Sequence, residues 1–162
     1  MKAKSFQGMA CSIAGALEAI GDRWAFLILR DLGIGLTRYD DLQHSTQIAN
    51  TTLSERLKHL EHHGLVSRQQ YQDNPPRFEY GLTAKGRELG LVLLALAQWG
   101  DRWDAAGTGA PPVNFVDTAS GRGIKVAIVD ARTGDPVPGS RVEGRPGRGA
   151  DELVHWRLGK NR

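Results

Sequence analysis

Residues 50–64, NTTLSERLKHLEHHG, decide how this chain folds. Leu53, Leu57 and Leu60 recur on one face of a helix, so that side belongs to a core. Asn50 is placed to cap the helix start, and Gly64 to end it in the left-handed conformation that costs glycine little. At about 100° per residue, Thr51, Thr52, Glu55, Lys58, His59 and His62 project away from the leucines, while Arg56 and His63 flank them. The outward face is therefore compact, polar and rich in hydrogen-bonding groups.

Directly downstream, LVSRQQYQDNPPRFEYGLT consists of two alternating segments around Asp73-Asn74-Pro75-Pro76. This predicts a hairpin with a proline-stiffened loop that carries Arg77. Upstream, RYDDLQH (residues 38–44) predicts a two-turn helix, with Ser45–Ala49 as the turn that joins it to the Asn50 helix. Two short helices and a basic-tipped hairpin make a winged helix-turn-helix, an α+β fold. Ser12–Ile20 is expected as a short helix closed by Gly21, and Asp22 as the cap of a core helix, Trp24 to Leu32. Thr83 then caps a long helix from Ala84 to about Asp104, with Leu89, Val92, Leu93, Leu96, Trp99 and Trp103 on one stripe and Leu91, Leu94 and Ala95 outside it. A helix apolar on two faces must bury two faces. The second is expected against another chain, with the tail as the competing cover.

The chain has 162 residues, 40% of them hydrophobic, enough for one core and an appendage. No apolar run approaches the roughly 20 residues that span a bilayer. The start MKAKSFQGMACS lacks an apolar signal core, so a cytoplasmic address without membrane contact is expected. Cys11 is the single cysteine, which suits a reducing compartment and excludes a disulfide within the chain. The pI of about 9.2 does not by itself point to nucleic acid. Residues 1–106 hold 12 Lys+Arg and 12 Asp+Glu, and the excess lies in residues 107–162, with 9 and 6. The useful signal is local. Between Asn50 and Arg87, Arg56, Lys58, Arg68, Arg77, Lys85 and Arg87 outnumber Glu55, Glu61, Asp73 and Glu79. From Ala106 the composition changes, with Gly107, Gly109, Pro111 and Pro112 marking a linker. VNFVD and GIKVAIVD read as strands of a small sheet, ARTGDPVPG as turn, and EGRPGRGADELVHWRLGKNR as a segment of little order. No internal repeat is evident. The expected division is a DNA-binding and dimerisation domain at 1–106 and a small β-rich, partly flexible extension at 107–162.

Cys11 with its helix up to Gly21-Asp22-Arg23-Trp24, then RYDDL, LSERLKHLEHHGLV, PPRFEYGLTAKG and WGDRW, together resemble the HxlR family of winged-helix transcription regulators, relatives of the MarR type. The resemblance runs from Cys11 to Trp103. It implies a homodimeric bacterial regulator, usually a repressor, that dimerises through its first and last helices. The tail is similar to a small β extension in which some members place cysteine pairs as if for zinc; this tail has no cysteine.

For base reading, Thr51, Thr52, Glu55 and His59 are the candidates: Thr and His reach base edges or thymine methyls, and Glu accepts from cytosine. Asn50 is a cap, at a helix start that also welcomes phosphate. Arg38, Arg56 and Arg77 are candidates for phosphate or the minor groove. The competing reading, a solvated residue or an internal ion pair, weighs most on Arg56. His59 and His63 are four apart, but no HExxH or CxxC pattern adds a ligand, so no metal or cofactor is expected. Cys11 lies just before a helix, where amides and dipole favour the thiolate and suit a sensor; the alternative is a small buried apolar filler. A lone cysteine without a paired His and Asp, and no glycine-rich phosphate loop, argue against an enzyme. The expected partners are double-stranded operator DNA, a second copy of the chain and a small-molecule inducer. Two alternatives to a thiol-switched repressor remain open: a regulator switched by a noncovalent ligand, and a winged-helix protein-interaction module.

Overall fold

A computed structural model describes residues 5–160; residues 1–4 and 161–162, which the domain bounds above include, lie outside the described residues. Helix α1 (Ser12–Ile20) ends as its sequence predicts. The Gly21 amide donates to the Leu17 carbonyl at 2.8 Å, and Gly21 turns the chain at a φ of 101° that side chains rarely adopt. Asp22 then starts α2 (Arg23–Gly33), its Oδ1 accepting from the Trp24 and Ala25 amides at 3.0 and 3.2 Å. Ala25, Ile28, Leu29 and Leu32 face inward from α2 and form the centre of the core.

Helix α3 (Tyr39–Thr46) starts one residue after Arg38 and continues past His44. The Thr46 hydroxyl donates to the Leu42 carbonyl at 2.7 Å, and the chain then turns at Gln47, which is left-handed at φ 57°. The joining turn is thus shorter than Ser45–Ala49. Helix α4 (Asn50–His62) buries Leu53, Leu57 and Leu60 as their spacing requires. The expected Asn50 cap is corrected: Ala49 takes the extended cap position, no side chain caps it, and Asn50 is the first helical residue. The corner is held instead by Tyr39, whose hydroxyl donates to the Asn50 carbonyl and also bonds Ser54 Oγ, both at 2.9 Å. Gly64 is left-handed at φ 66°, as expected of the residue that ends this helix.

Strands β1 (Val66–Gln72) and β2 (Arg77–Leu82) pair antiparallel, Val66 opposite Leu82 and Gln70 opposite Phe78, with a slip between Gln70 and Gln72. The Tyr80 amide donates to the Thr37 carbonyl at 2.7 Å, which ties the hairpin to the start of α3. Helices α2 to α4 with this hairpin are a winged helix-turn-helix.

Thr83 caps the next helix, its Oγ1 accepting from the Gly86 amide at 3.1 Å. The single long helix expected here is two, α5 (Ala84–Glu88) and α6 (Gly90–Arg102). At Leu89 the amide bonds three residues back, to the Gly86 carbonyl at 3.2 Å, and the four-residue spacing resumes with Leu93 to Leu89 at 3.0 Å. Two compact units divide the chain. Ile13–Leu93 form one with the described residues before Gly8, and Gly8–Ser12 with the chain from Leu94 form the other.

In the second unit, VNFVD and GIKVAIVD contribute single bridges, Val116 to Gly123 and Val129 to Pro136, instead of strand ladders. Each bridge closes a turn nucleated by an aspartate. Asp117 accepts from the amides of Ala119 and Ser120, and Asp130 from those of Arg132 and Thr133. Gly121 and Gly134 follow in left-handed conformation at φ 67° and 76°. Val-Asp-x-x-Ser/Thr-Gly is therefore an internal repeat that the sequence analysis missed. The segment read as having little order contains α7 (Glu152–Gly159), capped by Asp151 Oδ1 from the Val154 amide at 2.8 Å. Gln98 of α6 pairs with Val126 like a strand neighbour, donating to its carbonyl at 3.1 Å and accepting from its amide at 2.8 Å.

Candidate nucleic-acid interface

With its leucines buried, α4 exposes Asn50, Thr51, Glu55, Lys58 and His62, and leaves Thr52 partly buried. Thr51, Glu55, Lys58 and His62 follow one another at helical spacing on a single face. Lys58, placed by the sequence on the outward face and in the local basic cluster but not among the individual contacts, completes that face with a cation. The first turn of α4 has no side-chain cap, so its amides face outward as a ready anion site.

Two expected contacts turn inward. Arg56 donates from Nε to Asp22 Oδ2 at 2.6 Å and lies 3.8 Å from Glu55, so it is engaged in an internal ion pair. His59, expected to project outward, is corrected to a partly buried position against the α1–α2 corner. Gly21 has no side chain, and His59 fills that space: its Nε2 lies 3.1 Å from where a Cβ at Gly21 would be. This Nε2 is buried without a hydrogen-bond partner, and the ring sits 4.5 Å from that of His63.

Arg38 occupies the cap position of α3, exposed, with Nε 3.5 Å from Glu79 and its guanidinium 5.3 Å over the Tyr71 ring. These contacts hold it against the wing, at Glu79 of β2 and Tyr71 of β1. Arg77 is exposed at the wing's end, and among the described residues no carboxylate pairs with it. Other basic residues of the local cluster are engaged. Arg68 stacks on Phe78 at 4.4 Å and lies 3.8 Å from Glu61, Lys85 Nζ donates to the His63 carbonyl at 2.8 Å, and Arg87 donates to the Leu82 carbonyl at 2.8 Å. Counting charges along the sequence could not separate these from Lys58 and Arg77.

Burial first, and then the neighbouring charges of His59, His62 and Lys85, hold His63 below the usual imidazole value of 6.5. Among the described residues no group of three or more His, Cys, Asp or Glu side chains converges as a metal site requires. Cys11 is partly buried just before α1, its amide donating to the Met9 carbonyl at 2.8 Å. Two helices present large apolar side chains: Ile13 of α1 is 72% exposed, and Leu96, Trp99 and Leu91 of α6 are 50, 62 and 63% exposed.

Comparison with known proteins gives consistent matches. The model of the HxlR-like helix-turn-helix family matches residues 19–108. An uncharacterized HTH-type transcriptional regulator of Mycobacterium tuberculosis is 35% identical over 138 residues, 85% of this chain and 87% of its own. The crystal structure of PA1607, a protein proposed to be a transcription factor, superposes with a TM-score of 0.74 at 32% identity, covering 90% of this chain and 99% of that one. The redox regulator HypR in its oxidized form matches with a TM-score of 0.53 at 30% identity, over 57% of this chain and 96% of its own.

Proposed function

Because this chain belongs to the HxlR-like helix-turn-helix family, whose relatives are transcription regulators, we propose that it is a homodimeric, sequence-specific repressor that reads operator DNA with α4 in the major groove. The observation that carries this reading is the exposed face of Thr51, Glu55 and Lys58 beside an uncapped helix start. Thr51, Thr52 and Glu55 read base edges, and Asn50 with the first-turn amides meets a phosphate. Arg38 and Arg77 take the backbone or the adjacent minor groove. Residues 1–106 act as the DNA-binding and dimerisation domain, and 107–162 as an extension. The protein is not an enzyme, needs no cofactor and works in the cytoplasm; no described helix is long and apolar enough to cross a membrane.

Selection from a random duplex pool tests this reading and supplies an operator. Arg77→Ala should weaken all duplexes and flatten the salt slope by about one unit, whereas Thr52→Ala should relax preference at one position. Binding without sequence preference would favour the protein-interaction module instead.

Regulation through Cys11 is supported by its place at the entry of α1 and by the likeness to HypR. Oxidation joins the thiol to a second copy or to a small thiol and shifts the spacing of the two reading helices. A noncovalent inducer, with Cys11 as filler, is the alternative. Diamide should release wild-type protein from the selected duplex and spare Cys11→Ser; equal loss, or no loss, in both rules out the switch.

A further inference from the structure

We infer that Arg56 and His59 form a latch that sets the roll of α4 by gripping the α1–α2 corner, and that neither contacts DNA. The inference rests on the reading of α4 as the base-reading helix. Asp22 uses both carboxylate oxygens: Oδ1 caps α2 through the Trp24 and Ala25 amides, and Oδ2 accepts from Arg56 Nε at 2.6 Å. The bond is charge-assisted and partly shielded, the two side chains being 31 and 35% exposed, so it is stronger than a surface pair. One turn further along α4, His59 packs on Gly21, the neighbour of Asp22. Its buried Nε2 forgoes a partner that an outward rotamer would find in water, so packing against the corner outweighs that loss.

Residues 56 and 59 lie on one face of α4, and residues 21 and 22 are adjacent in the corner. Two neighbouring points on each element are thereby joined, which fixes rotation as well as distance. The leucine stripe cannot do this alone, because apolar contact is non-directional. Thr51, Thr52 and Glu55 reach their base edges only at one roll angle, whereas phosphate contacts tolerate several. The latch therefore acts on specificity and leaves sequence-independent binding alone.

The test uses the full chain, the duplex selected by wild-type protein and a scrambled duplex. Asp22→Asn keeps a good helix cap and loses the ion pair; Arg56→Gln removes the other partner. Each should lower the ratio of selected to scrambled affinity by about tenfold, with salt slope and scrambled binding unchanged. The double variant should lose no more than either single one, and His59→Ala should give the same pattern at smaller size. If Arg56 instead meets phosphate, Arg56→Gln weakens both duplexes and flattens the salt slope by about one, and Asp22→Asn strengthens both; that overturns the latch. Lower melting temperatures with an unchanged ratio overturn it too. Amide exchange across residues 50–62 in the free protein is a readout without DNA. Wild-type rates in Asp22→Asn and Arg56→Gln overturn the latch whatever the duplexes show. Faster exchange with no sequence recovered from the pool sustains the latch and overturns the base-reading assignment.

Discussion

Gly21 shows how one residue couples backbone conformation to the candidate site. At φ 101° a side chain is strained, and a Cβ there would stand 3.1 Å from His59 Nε2 and 3.2 Å from its Cδ2. Gly21→Ala should cost about 1–3 kcal/mol in urea unfolding, and wild-type stability would show that the corner relaxes freely. His63 adds a pH dependence. Its folded value is held below 6.5 by burial and then by the positive charges of His59, His62 and Lys85, with Glu18 opposing. The unfolded chain therefore takes up this proton first as the pH drops. The stability is complete above about 6.5 and declines as the pH falls through the folded value. Urea midpoints between pH 7.5 and about 5.5 should decline, and His63→Gln should reduce that slope. The Asp22 cap and the Gly64 turn were legible because their partners are local. The Arg56 bond was not, since Asp22 lies 34 residues away. Asn50 differs for the same reason: Tyr39, from the preceding helix, donates to the Asn50 carbonyl and holds Asn50 inside the first turn of α4, whose amides stay without a side-chain cap.

Helix α5 packs its backbone closely on the residue that precedes the wing. The Thr83 amide donates to the Leu65 carbonyl at 3.1 Å, and a Cβ on Gly86 would collide with that carbonyl oxygen. Gly86→Ala should therefore destabilise by more than about 3 kcal/mol, because backbone atoms on both sides must move. Unfolding by urea with an unchanged midpoint would show that α5 can slide outward. Apolar periodicity could not register this contact, so it joined α5 to α6; of the stripe read from Leu89 onward only Leu89 and Leu93 are partly buried, and Val92, Leu96, Trp99 and Trp103 are exposed. The tail was misread differently. Its alternating apolar residues suggested strands, but aspartate-nucleated turns reverse the chain after single bridges, and the repeat of Asp117 and Asp130 is evident once their amide partners are seen.

At the scale of the whole molecule, the first and last helices of the 1–106 segment expose several large apolar side chains, which is the basis for expecting a dimer. Ile13 and Leu17 of α1 are 72 and 40% exposed, and Leu91, Leu96 and Trp99 of α6, with Trp103 just after it, are 50% exposed or more. Charge does not oppose association, since residues 1–106 carry 12 cationic and 12 acidic side chains. A second copy covering these faces would also supply the second reading helix that half-sites about 34 Å apart require. Light scattering at micromolar concentration should therefore give twice the 17.7 kDa chain mass. Leu96→Glu, which places a charge in the proposed seam, should shift the mass toward a single chain. It should also lower affinity for a two-half-site duplex far more than for a duplex with one half-site, because only the longer duplex gains from joining the two helices. A wild-type mass of 17.7 kDa under these conditions would refute the dimer and assign the apolar faces to another partner.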